Sequence, residues 1–161
     1  MRAHKRQASV AVVVLGSVQP ILHLSLPVRD IEEARDFYVR ALGCQPARRR
    51  DDFIDVWFFG VQVTLHDRPD EAKGLVPGSA RHFGVTLERD EFDHLVERLE
   101  ACGVEWVSPV TTENPGLLTE QTKAKIVDPS GNVIEVKTYR DVEAALEIST
   151  HSYPETVARG N

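Results

Sequence analysis

One segment occurs twice in this chain of 161 residues. "ILHLSLPVRDIEEARDFYVRALGC", from residue 21, alternates apolar and polar residues and then shifts to helical spacing. Asp30 stands as N-cap with Glu33 three residues on, Ile31, Ala34, Phe37, Tyr38, Ala41 and Leu42 form the apolar stripe, and Gly43 ends it. "RHFGVTLERDEFDHLVERLEACGV", from residue 81, repeats that order, with Asp90 as the expected cap, Phe92, Leu95, Val96 and Leu99 as the stripe and Gly103 as the stop. Asp30 to Asp90 and Gly43 to Gly103 are both 60 residues apart, and His23 to His82 is 59. Three strand-like runs follow each helix, near 45–50, 53–59 and 61–66, then near 104–107, 122–127 and 133–139. The chain therefore reads as an α+β protein of two βαβββ repeats, neither able to bury its apolar face alone. The first repeat is expected over about 20–68, a linker over 69–79, and the second over about 80–141, flanked by extensions at 1–19 and 142–161. "DPSGN", Asp128 to Asn132, is expected to make a hairpin turn.

Side chains alternate along strands, so a one-sided sheet sets its apolar residues against the helices and its polar ones on the other face. Leu22, Leu24 and Leu26 then pack inward and leave His23 and Ser25 on a concave side; Phe83, Val85 and Leu87 leave His82 and Thr86 there. Val61, Val63 and Leu65 free Gln62, Thr64 and His66, while Ile134 and Val136 free Glu135, Lys137 and Tyr139. Aligning Gly60 with Gly131 sets Thr64 opposite Glu135. Four symmetric positions thus hold His23, His82, Thr64 and Glu135. Two imidazoles and one carboxylate suit a divalent metal with coordination positions left open, because threonine is a poor donor. His4, His94 and His151 fall off these faces and carry no chemistry.

A formal net charge of -6, spread along the chain, favours neither nucleic acid nor an anionic membrane. Arg48 to Arg50 form a basic cluster without the interleaved aromatics of a single-strand binder. Two cysteines without CxxC spacing fit free thiols in the cytoplasm. The opening "MRAHKRQASVAVVVLGSV" imitates a short export signal, but lacks a clear cleavage site and is too short to span a bilayer.

The strings "HLSLPVRD", "FYVRALGC", "HFGVTL" and "DPSGNVIEVK" resemble the vicinal oxygen chelate superfamily, which includes glyoxalase I, extradiol dioxygenases and fosfomycin-resistance enzymes. The likeness covers about residues 20–141 and is greatest to small predicted dioxygenases of extradiol type. It implies that His23, His82 and Glu135 are metal ligands, and that Thr64 replaces the glutamate of glyoxalase I. Fe(II) is favoured, with Mn(II), Zn(II) or Ni(II) as alternatives. The implied reaction is an extradiol-type oxygenation of a small molecule with vicinal oxygens, in which His66, Tyr139 and Lys137 act as acid, base or charge partner. Ser25, Thr64, Gln62, Thr86, Glu120 and Gln121 are the expected substrate contacts. The rivals are a metal-dependent lyase, isomerase or thiol transferase, and a metal-free sequestering protein. A homodimer is expected, with His23 supplied by its own chain or by the partner.

Overall fold

The computed structural model describes residues 20–147. The extension at 1–19 and most of that at 142–161 lie outside them. The first half runs β1 (His23–Val28), α1 (Ile31–Asp36), a π-helical turn (Phe37–Ala41), β2 (Gln45–Arg49), β3 (Phe53–Phe58) and β4 (Val61–Asp67). The second runs β5 (Phe83–Thr86), α2 (Arg89–Ala101), β6 (Trp106–Glu113), β7 (Gln121–Val127) and β8 (Val133–Tyr139), followed by a short α3 (Val142–Leu146). Each half builds a four-stranded mixed sheet, ordered β1-β4-β3-β2 and β5-β8-β7-β6. None of the described helices is long and apolar enough to cross a membrane.

The registers repeat as faithfully as the sequence does. In the parallel pair β1 and β4, Ser25 stands beside Thr64 and His23 beside Gln62; in β5 and β8, Gly84 stands beside Glu135 and Thr86 beside Lys137. Ser25 and Gly84 are 59 residues apart, the offset of the two histidines. Thr64 and Glu135 are therefore equivalent, as the alignment of Gly60 with Gly131 requires.

Local signals decide most element ends. The Asp30 carboxylate accepts from the Glu33 amide at 2.8 Å and caps α1. Asp90 does not cap α2. Glu88 holds the N-cap position without a side-chain bond, and Asp90 lies inside the first turn, where its charge complements the helix dipole. The first helix loosens at Phe37 into a π turn whose closing bond runs from the Leu42 amide to the Phe37 carbonyl. Strand β6 extends to Glu113, well past the expected end. It tolerates Pro109 because it is an edge strand and bulges between Ser108 and Thr111. Leu22 precedes β1 and is 69% exposed, so it does not join the helix-packing set.

One apolar core serves both halves. It takes Ile31, Ala34 and Tyr38 from the first helical stretch, Phe92, Leu95 and Leu99 from α2, and Val63, Leu65, Ile134 and Val136 from the sheets. Phe58 meets Phe83 edge-on across the boundary at 5.4 Å. The "DPSGN" turn is the polar fastener. Asp128 accepts from the amides of Ser130 and Asn132 and from the Asn132 side chain. Asn132 also donates to the Pro27 carbonyl, and the Arg29 amide donates to Ser130 Oγ.

The fully buried Tyr38 hydroxyl donates to Asp128 Oδ2 at 3.2 Å. Burial first, and then the Asp128 charge, push this phenol well above its ordinary value of 10.0. A raised folded pKa contributes stability that is fully present below about pH 10 and is lost as pH climbs towards the folded value. Urea unfolding between neutral pH and about pH 11 should show that alkaline loss, and Tyr38→Phe should flatten it. The same substitution should cost about 1–2 kcal/mol at neutral pH, since Asp128 loses a buried donor. Equal slopes in the two proteins would show that Tyr38 is not the group involved.

Candidate metal centre

The pairing of β5 with β8 builds the centre. A Cβ on Gly84 would lie 1.8 Å from the Glu135 carbonyl oxygen, so only glycine lets the two backbones approach this closely. The approach seats the buried Glu135 beside His82, which immediately precedes β5. His82 Nε2 stands 3.0 Å from Glu135 Oε2, and His82 Nδ1 stands 2.9 Å from the Ala80 carbonyl. A carbonyl only accepts, so Nδ1 carries the proton and a neutral ring turns the Nε2 lone pair towards the carboxylate. The contact is then attractive only with positive charge between the two atoms, either a proton on Nε2 or a metal ion bound by both. Ligands about 2.1 Å from one ion at right angles are about 3 Å apart, so the pair fits a divalent cation.

The surrounding face is cationic. Lys125 is paired in register with Glu135, and Lys123 with Lys137, so all four share the concave side. Lys137 Nζ lies 3.9 Å from Glu135 Oε2 and 5.8 Å over the Tyr139 ring. Lys123 is bound to Glu113 at 2.8 Å, and that hydrogen bond holds its ammonium above the ordinary lysine range. Lys123 and Lys125 went unnoticed in the sequence. Their signal is the alternating "KAK" of β7, which directs both to one face.

The first sheet carries a different arrangement at the equivalent place. Thr64 and Asp55 are each 3% exposed, and the Thr64 hydroxyl donates to Asp55 Oδ1 at 2.6 Å. Gln62 Nε2 and Arg48 Nε donate to Asp55 Oδ2 at 3.1 and 3.0 Å. Arg48, itself exposed, thus pairs with a buried carboxylate and is not part of a bare basic cluster. His23 is exposed and paired in register with Gln62 in this sheet. Among the described residues no three His, Cys, Asp or Glu side chains gather as a metal site, so one chain supplies His82 and Glu135 together and His23 apart.

The remaining expected residues divide in the same way. Thr86 and Gln121 flank the lysine face through their pairs with Lys137 and Tyr139. Ser25 and His66 lie on the first sheet, His66 with its ring 5.6 Å from that of Phe53. Glu120 accepts from the Gly116 amide at 2.6 Å through Oε2 and lines a small pocket with Tyr139.

Known proteins are similar to this chain in sequence and fold. Residues 20–136 match the family described as Glyoxalase/Bleomycin resistance protein/Dioxygenase superfamily. The chain is 24% identical over 120 residues to Glyoxylase I 4 of Arabidopsis thaliana, covering 71% of this chain and 67% of that protein. It is 27% identical over 127 residues to Glutathione transferase FosA of Serratia marcescens, covering 74% and 80%. Among solved structures, a glyoxalase/bleomycin resistance protein/dioxygenase from Alicyclobacillus acidocaldarius superposes with a TM-score of 0.71 at 36% identity, covering 79% of this chain and 96% of that one. A variant of the fosfomycin resistance protein FosX from Listeria monocytogenes, complexed with Mn(II) and 1S,2S-dihydroxypropylphosphonic acid, superposes at 0.62 with 16% identity, covering 82% and 100%. With its two βαβββ halves and most of its length matched, this chain belongs to the glyoxalase/bleomycin resistance/dioxygenase superfamily, the vicinal oxygen chelate fold.

Proposed function

We propose that the chain is a metal-dependent enzyme whose ion acts as a Lewis acid on a small anionic substrate, in a lyase, isomerase or thiol-transfer reaction of glyoxalase or fosfomycin-resistance type. The observation that carries this is the His82–Glu135 pair, pinned by Ala80, with Lys125 in register with Glu135 and Lys137 Nζ 3.9 Å from its carboxylate. His82 and Glu135 of one chain and His23 of the partner subunit would hold the ion in a homodimer. The bound ion would polarise a substrate oxygen and stabilise the charge that develops on it.

The chain's own groups supply the rest. Ala80 fixes the imidazole plane and tautomer, which keeps Nε2 available to the ion. Lys125, in register with Glu135, and Lys137 offset the charge of a bound anion. Tyr139, whose ring lies 5.8 Å from the Lys137 ammonium, would pass a proton to or from the substrate. Two relatives named for glyoxylase and glutathione transferase activity support this reading over the oxygenation implied by the extradiol resemblance. Mn(II), present in the FosX complex, is accordingly the ion of first choice, ahead of Fe(II).

The test pairs two assays on one preparation. Mn(II)-loaded protein should consume fosfomycin in the presence of water or glutathione. Fe(II)-loaded protein should take up no dioxygen with a panel of catechols. Oxygen uptake with the catechols would restore the extradiol reaction, and tight ligand binding without stoichiometric metal would mark a sequestering protein.

A further inference from the structure

A cleft of about 770 Å³ opens between the two halves and shares no residue with the lysine-lined face. Its volume suits a small organic ligand. One wall is the π-helical turn, which contributes Phe37 and Arg40, with Arg29 beside it at the end of β1. Opposite stand Cys102 and Val104 after α2, and the linker residue Leu75. π turns concentrate at functional sites, because the extra residue reshapes a helix wall at a cost to its hydrogen bonding.

These walls carry three carboxylates, Asp36, Glu105 and Asp128, and two guanidinium groups, Arg29 and Arg40. Among the described residues, Arg29 and Arg40 enter hydrogen bonds only through backbone atoms, from the Arg29 amide to Ser130 Oγ and from Cys102 Sγ to the Arg40 carbonyl. Their guanidinium groups have no carboxylate partner there. Asp36 is taken by Arg35 at 3.1 Å, and Asp128 is turned into its own hairpin and towards Tyr38. Glu105 alone then faces two cations. Phe37, Leu75 and Val104 supply an apolar floor. We infer that this cleft is a second binding site, for a small amphipathic anion whose head group rests on Arg29 and Arg40 and whose apolar body lies against Phe37, Leu75 and Val104.

The two thiols allow the site to be watched. Cys44 is buried, and that burial pushes its thiol up to about 12, whereas Cys102 is exposed. Iodoacetamide should therefore alkylate Cys102 in the native protein and spare Cys44. The probe is anilinonaphthalene sulfonate, an aromatic anion, with uncharged phenylnaphthylamine as its control. The sulfonate should bind one to one and slow Cys102 alkylation by roughly 5-fold or more at saturation. Arg29→Met and Arg40→Met should each weaken it by about 10-fold, the worth of a charge-assisted hydrogen bond, and change phenylnaphthylamine binding by less than about 2-fold. Mn(II) titration should be unaltered in both variants, which separates this cleft from the His82–Glu135 centre. Unprotected Cys102, unchanged sulfonate affinity in both arginine variants, or no binding of the sulfonate would each overturn the inference.

Discussion

Protein assembled from a mixture of His23→Ala and His82→Ala chains should regain Mn(II) binding that neither variant shows alone. Each substitution removes one of three proposed ligands, and its expected cost, roughly 100-fold or more in Mn(II) affinity, exceeds the usual loss from a mere outer-shell partner. In a mixed dimer whose sites are shared, one site collects both alanines. The other combines the intact His23 of the His82→Ala chain with the intact His82 and Glu135 of the His23→Ala chain. Random pairing makes about half of the dimers mixed, so about a quarter of the sites return. The expectation follows from the separation of donors in one chain, where His82 meets Glu135 while His23 lies on the other sheet, paired in register with Gln62. Co-refolding followed by Mn(II) titration provides the measurement. A mixture as inert as its parents would argue for sites closed within one chain, and full affinity in His23→Ala alone would remove His23 from the site.

The fold was legible because each of its signals is local or periodic. Alternation in "HLSLPV" and "VIEVKTY" sets strand faces, Asp30 caps its helix through a residue three positions away, and the 59-residue offset carries one half onto the other. Even the equivalence of Thr64 and Glu135 could be inferred, since a glycine turn fixes register. What escaped depends on partners distant in sequence or on a choice between acceptable neighbours. Asp90 and Glu88 both lie at the helix start, and α2 begins after Glu88 with no side-chain cap. Asp55 looked like an ordinary strand residue, yet Arg48, Gln62 and Thr64 converge on it only after three strands pair. Ala80 has only a methyl side chain and nothing polar to signal a role; its carbonyl orients His82. Glu120 is an expected substrate contact, and nothing in the sequence signals the bond it accepts from the Gly116 amide. Lys123 and Lys125 of the concave face escaped for the same reason: they lie on β7 and meet Lys137 and Glu135 of β8 through register alone.

Gly84→Ala should cost about 2–4 kcal/mol of stability, which for a domain of this size lowers the melting temperature by roughly 10 °C, and should weaken Mn(II) binding as well. The added methyl would fall 1.8 Å from the Glu135 carbonyl oxygen and 2.8 Å from its carbonyl carbon. No rotamer relieves a Cβ clash, and the obstacle is backbone, so β5 and β8 must separate. Strand β5 has only four residues with which to absorb that shift, and Glu135 lies at the point of contact. Stability and metal affinity should therefore fall together. Gly103→Ala is the proper control: it has φ of +64 but nothing within 4 Å of the new Cβ, so it should cost about 1–2 kcal/mol from left-handed backbone alone and leave Mn(II) affinity unchanged. If Gly84→Ala lowered stability without touching the metal, the position of Glu135 would not depend on this strand contact. If both variants lost metal affinity in proportion to stability, the effect would be global, and the glycine would have no special place in the centre.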